Sequence, residues 1–283
     1  MTAVLDEADW RRRRAAHEER VDVWTRPVLE RCRRGEAHPV EDFLFTYYSH
    51  RPAQLRRWSP GSHVVLTGAD DAFARSPWVE VRDGRALGPA PDRLIRTATW
   101  ITTLLSSTAA RPQQFGCFGL HEWAMVHRQR ADEVRHAGEP LRLGSEGTTA
   151  VIDSLPVRCS HYDAFRFFTP SARPLNALQP TRERQVELEQ GGCLHANMDL
   201  YKWAYKLSPW VPSELVADCF ELARRVRELD MRASPYDLTR LGCEPIRIET
   251  PEGRAEYVAA QRAFAAEAAP LRARVADAAA ALL

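Results

Sequence analysis

Between residues 213 and 232, Leu215, Cys219, Leu222, Val226 and Leu229 recur every three or four positions. That is the period of an α-helix that buries one face. A stretch of this length is too long for an ordinary strand, and its apolar stripe needs other helices or a sheet to cover it. The same reading extends to both ends of the chain. Residues 7–34 predict a charged amphipathic helix with a stripe of Ala15, Val21, Val28 and Leu29, stopped at Gly35. Thr250-Pro251-Glu252 predicts a C-terminal helix with threonine as N-cap and proline in the first turn, kinked or broken at Pro270.

Between these, helices are expected at 40–49, 92–107, 119–135, 148–155 and 195–207. Ser160 with Asp163 reads as a capping box opening a short helix through Phe168. The segment 170–192, with Pro170, Pro174, Pro180 and Gly191-Gly192, reads as loop. Strand signals lie at 63–67 and 78–82, joined by an Asp83-Gly84 hairpin, with a short further strand at 246–249. The expectation is a mainly α chain with a minor β hairpin or small sheet (α+β), one domain over 1–283, its β element peripheral at 63–87.

Composition narrows the function classes. No GxGxxG or GxxxxGK[ST] follows a strand, so phosphate loops of those kinds find no support. No apolar run reaches the roughly 18 residues of a membrane span, so no membrane partner is expected. The first residues carry Asp6, Glu7, Asp9 and Arg11 to Arg14 where a signal peptide is apolar, and a cytoplasmic location is expected. The six cysteines are dispersed without a CxxC pair, which predicts thiols and disfavours an all-cysteine zinc site. Net charge is +1, lower than DNA-binding domains usually carry, although arginine is abundant enough for a local basic patch.

Cysteine, histidine and a carboxylate cluster three times: Cys117 with His121 and Glu122, Cys159 with His161 and Asp163, and Cys193 with His195 and Asp199. His121, His161 and His195 are candidate metal ligands, as a three-histidine or two-histidine-one-carboxylate site with Glu122, Asp163 or Asp199 as the acid. Any one of them can also serve as a haem ligand. Met125 occupies the position of the second histidine of HExxH, so that zinc-protease motif is absent. On the helix from His195, Asp199, Lys202 and Lys206 share one face, making Asp199 a candidate acid and Lys202 a candidate nucleophile. A salt-bridged solvent face is the alternative reading of the same spacing. The aromatic residues Trp123, Tyr162, Phe165, Phe167, Phe168, Tyr201, Trp203 and Tyr205 can hold a flat ligand or fill a core. The cysteines themselves read best as small apolar filler.

Six runs carry a resemblance: 38–58, 115–128, 159–176, 193–209, 212–223 and 229–238, among them FGCFGLHEWAMVHR, CSHYDAFRFFTPSARPLN and CLHANMDLYKWAYKLSP. Together they resemble a bacterial family labelled 3-methyladenine DNA glycosylase, over almost the whole chain. The resemblance implies excision of an alkylated purine from duplex DNA with damaged bases, without a cofactor. It calls for a pocket for the flipped base and a carboxylate near the sugar, from Asp199, Asp163 or Glu122. Trp123, Tyr201 or Trp203 would stack on the base, and arginines would border the pocket. A helix-hairpin-helix followed by an aspartate is not found. The alternative from the residues themselves is a non-haem iron, zinc or haem enzyme acting on a small aromatic molecule. A non-catalytic binding protein is the third reading.

Overall fold

The computed structural model describes residues 3–68, 79–82, 84–130, 133 and 138–283. The chain is mainly helical with a minor sheet. In order the helices are α1 (Glu7–Arg34), α2 (Phe43–Tyr47), α3 (Pro52–Arg56), α4 (Asp92–Ala110), α5 (Leu120–Ala124) and α6 (Gly144–Ser154). They continue with α7 (Tyr162–Phe165), α8 (Gln185–Leu188), α9 (Leu194–Lys206), α10 (Ser213–Arg232) and α11 (Pro251–Ala280). The strands are β1 (Ala3–Leu5), β2 (Val64–Leu66), β3 (Val79–Arg82) and β4 (Gly84–Leu87), in sheet order β1-β2-β4-β3. Two compact units emerge, each built from separated segments: residues 1–103, 200–221 and 273–283 in the first, 104–199 and 222–272 in the second.

In the first unit, α1 starts where the Asp6 side chain accepts from the Asp9 amide at 2.8 Å. It ends at Gly35, whose φ of 69° is the left-handed cap a side chain would disfavour. Its buried face is Trp10, His17, Val21, Thr25 and Val28. Of the expected stripe, Val21 and Val28 are buried, but Ala15 and Leu29 are exposed. The helix expected at 40–49 shrinks to five residues. The Asp42 carboxylate accepts from the His38 amide at 2.7 Å and from Arg31 at 2.6 Å, which holds the preceding residues in a turn. β1 pairs parallel with β2, and β4 pairs antiparallel with β2 and β3. β1 is too short to leave a periodic signal. Residues 69–77, Trp78 and Asp83, part of the expected β element and its turn, lie outside the described residues.

In the second unit the helix expected at 119–135 is cut to α5 among the described residues; 131, 132, 134 and 135 lie outside them. Arg128 has φ 58°, which a helix cannot continue through. His127 leaves the helix to meet Ser171 Oγ at 3.0 Å and Asp153 at 3.1 Å. The Ser160–Asp163 capping box does not form: His161 is the N-cap, with no side-chain cap, and Asp163 pairs with Arg166 at 3.1 Å. Residues 246–249 are no strand, although Ile246 and Ile248 are buried; the Ile246 amide donates to the Arg232 carbonyl instead. α10 buries Leu222, Val226 and Leu229 as its periodicity requires. α11 opens with Thr250 Oγ1 accepting from Gly253 N at 3.1 Å and runs through Pro270 without a break. Among the described residues no helix is long and apolar enough to cross a membrane.

Candidate functional site

All three cysteine-histidine clusters fall in the second unit, and their rings meet there. The turn before α5 sets the first. Phe118 and Gly119 are both left-handed, with φ of 50° and 73°. A Cβ at Gly119 would sit 3.3 Å from Ala233 Cβ, so the position suits only glycine on two counts. The reversal brings Cys117 Sγ to 3.6 Å from His121 Nδ1. The second cluster is clamped by Asn176, whose Oδ1 accepts from Cys159 N at 2.7 Å and whose Nδ2 donates to Cys159 O at 2.9 Å. The third sits at the start of α9. Gln190 fixes it by accepting from Gln114 N at 2.8 Å and Gly192 N at 2.7 Å.

The His195 ring centroid lies 4.4 Å from that of His121 and 5.4 Å from that of His161. α10 supplies the acid. His121, His195 and Asp230 are buried, and one ligand atom of each lies within 4.8 Å of the others. His121 Nε2 is 2.9 Å from Asp230 Oδ1. Asp230 is turned by Arg227, which contacts its other oxygen at 3.4 Å and Glu122 at 2.9 Å. His161 stands 3.4 Å from Asp199 and 3.7 Å from Glu189.

The electrostatics of this group are strongly coupled. Glu122, Glu189, Asp199 and Asp230 are buried around the rings, and the buried guanidinium groups among them are Arg227 and Arg272. Burial disfavours a charged His121, but the adjoining Asp230 carboxylate outweighs it and holds that ring well above the ordinary histidine range. Burial, reinforced by His121, pushes His195 well below that range. Cys159 and then His121 favour a Cys117 thiolate, against its desolvation. Burial pushes Cys193 up. All six cysteines are free thiols.

A cavity of about 420 Å³ opens on this group. Cys117, Cys159, Cys193, His121 and His195 form part of its wall, with Tyr257 and Gln261 from α11. Arg111, Arg158 and Leu178 complete other sides of it.

The expected site residues separate clearly. His121 and His195 are in the cavity wall, with His161 immediately behind. Glu122 is bound to Arg227, and Asp163 to Arg166, rather than facing the cavity; Asp199 lies beside His161. Trp123 is fully buried, its Nε1 donating to the Ala233 carbonyl at 2.8 Å. Tyr162 is half-buried on α7 and does not line the cavity. Tyr201, Lys202 and Trp203 belong to the first unit. There the Tyr201 hydroxyl meets His50 Nδ1 at 2.8 Å, and Lys202 Nζ lies 4.4 Å from the Trp203 ring centroid.

Sequence reasoning missed Asp230, Arg227, Glu189 and Gln261. Asp230 had a legible signal: it lies four residues after Val226, so it is a carboxylate on the apolar face of α10. Compared with protein-family models, with curated proteins and with solved structures, the chain finds no match in any of the three.

Proposed function

We propose that this chain is a metal-dependent enzyme in which His121, His195 and Asp230 hold a divalent cation beside the cavity, where a small molecule is transformed. One observation carries the reading: His121, His195 and Asp230 are buried with one ligand atom of each within 4.8 Å of the others, and His121 Nε2 is 2.9 Å from Asp230 Oδ1. Two atoms bonded to one cation at about 2.0–2.1 Å lie about 2.9–3.0 Å apart when they are neighbours in an octahedron.

Two histidines and one carboxylate leave further coordination positions open, the pattern of non-haem iron sites that activate small molecules. The cation would supply Lewis acidity or redox chemistry. Around it, Arg227 orients Asp230 and contacts its second oxygen at 3.4 Å. His161, 3.4 Å from Asp199 and 3.7 Å from Glu189, stands beside His195 without itself being one of the three ligands.

The base-excision reading rests on the resemblance and would have to use the same cavity. The two are separated by one preparation. Protein purified without chelators is expected to hold about one equivalent of iron, zinc or manganese. His195→Ala and Asp230→Ala should lose it, while His127→Ala, which removes a buried histidine bonded to Ser171 and Asp153, should keep it. A folded protein that takes up none of these ions, yet releases 3-methyladenine from methylated duplex DNA, would reverse the choice.

A further inference from the structure

We propose that the cavity binds a small aliphatic acid that also carries a hydroxyl or amino group. The acid group would engage Arg158 and the cation, and the O–H or N–H would donate to Gln261. This rests on the metal-centre reading.

Gln261 is 1 % exposed and lies in the cavity wall. Its Nε2 donates to the Gly192 carbonyl at 2.6 Å, which fixes the orientation of the amide, because the oxygen could not take that place. The Oε1 is then an acceptor with no donor among the described residues. The nearby amides differ. Asn176 uses both ends on Cys159, and Gln190 uses both ends on Gln114 and Gly192. A buried acceptor left unmade is costly, and native structures rarely keep one that nothing fills. A ligand O–H or N–H satisfies it.

The wall is also cationic. Arg111 donates to the carbonyl oxygens of Glu189 and Val186, and no carboxylate pairs with it among the described residues. Arg158 is exposed, with no hydrogen bond or ion pair among them. Glu187, the wall's carboxylate, is held by Arg184 at 2.7 and 3.0 Å. The exposed Arg158 guanidinium, with no carboxylate partner among the described residues, selects for an anion. A volume of about 420 Å³ is at the small end of ligand pockets. Tyr257 is the wall's one aromatic residue besides the histidines, and Leu178, Leu188 and Leu194 offer aliphatic surface. The walls therefore suit an aliphatic skeleton better than a stacked ring.

The test is calorimetric titration of the metal-loaded protein, its metal content verified, with two acid pairs that differ by one hydroxyl: malate against succinate, and lactate against propionate. The hydroxy acid of each pair should bind at least about tenfold tighter. Gln261→Met should erase that preference, and Arg158→Met, on the surface, should weaken both acids of a pair by about tenfold. The wild-type comparison stands even if the buried Gln261 variant fails to fold. Equal affinity within both pairs, or acid binding indifferent to Arg158→Met, overturns the inference. So does tighter binding of methylated duplex DNA than of any of the four acids. Protein that loads the ion and ignores all four acids overturns this inference alone; protein that loads no ion overturns the metal-centre reading with it.

Discussion

Two buried histidines, one in each unit, put the same ring to opposite uses. His50, in the first unit, is stacked on Tyr205 at 4.6 Å and touches Tyr201. Burial alone acts on it and pushes its pKa down to about 4. His121, in the second unit, is as deeply buried, yet Asp230 reverses the effect of desolvation and raises it. The difference lies in the neighbours, not in the depth. Aromatic surroundings make a neutral packing element, and a neighbouring carboxylate lets a buried ring keep its charge.

The sharpest way to break this comparison is to remove the charge that organises the second group. Arg227→Met removes the buried guanidinium shared by Glu122 and Asp230, leaving Asp230 only the His121 ring, and should cost about 3–5 kcal/mol in chelator-treated protein, by urea unfolding. Saturating divalent cation should restore part of that, since it neutralises Asp230 directly. A variant as stable as the wild type under both conditions would mean that the second unit's acids are not held by charge at all.

The same contrast decides what was legible in the sequence. The three cysteine-histidine runs are local, so their chemistry is written in neighbouring residues, and the fold does bring their rings together. Asp230 is 35 residues beyond His195 and has no cysteine or histidine beside it. Only its place on an apolar helix face betrays it. The carboxylates adjacent to the histidines drew attention away: Glu122 and Asp163 are taken up by arginines instead. The helix 213–232 was legible because its period is imposed by burial along its whole length. The helix expected at 119–135 was not, because its end is set by the tertiary contacts of His127 with Ser171 and Asp153. β1 depends on pairing with a strand some sixty residues later, which no local pattern encodes.

The next prediction sharpens the comparison from the first unit. Because the folded pKa of His50 is below the ordinary 6.5, the unfolded chain takes up the proton first as pH falls. Its contribution is therefore fully present above about pH 6.5 and lost on going down to about pH 4. At 1.36 kcal/mol per pKa unit, the loss is about 3 kcal/mol. His50→Phe should flatten the stability profile between those two pH values by about this amount, and leave metal content unchanged. An unaltered slope would show that His50 takes up its proton in the folded protein and that its aromatic nest does not keep it neutral.

The smallest expected effect tests whether Nδ1 means the same thing in both rings. Each has a partner there: the Tyr201 hydroxyl at 2.8 Å for His50, and Cys117 Sγ at 3.6 Å for His121. If His121 gives Nε2 to a cation, its remaining proton must sit on Nδ1 and point to Cys117. Metal-bound histidines use that second N–H on an acceptor that fixes the ring and raises its basicity, and losing the acceptor costs about 10–100-fold in metal affinity. Cys117→Ala should therefore weaken zinc binding by that factor in a chelator competition, with Cys117→Ser recovering part of it because the hydroxyl still accepts. Tyr201→Phe, which removes the corresponding partner of His50, should leave zinc affinity alone. Zinc bound equally well by Cys117→Ala and wild type would make Cys117 a wall residue only.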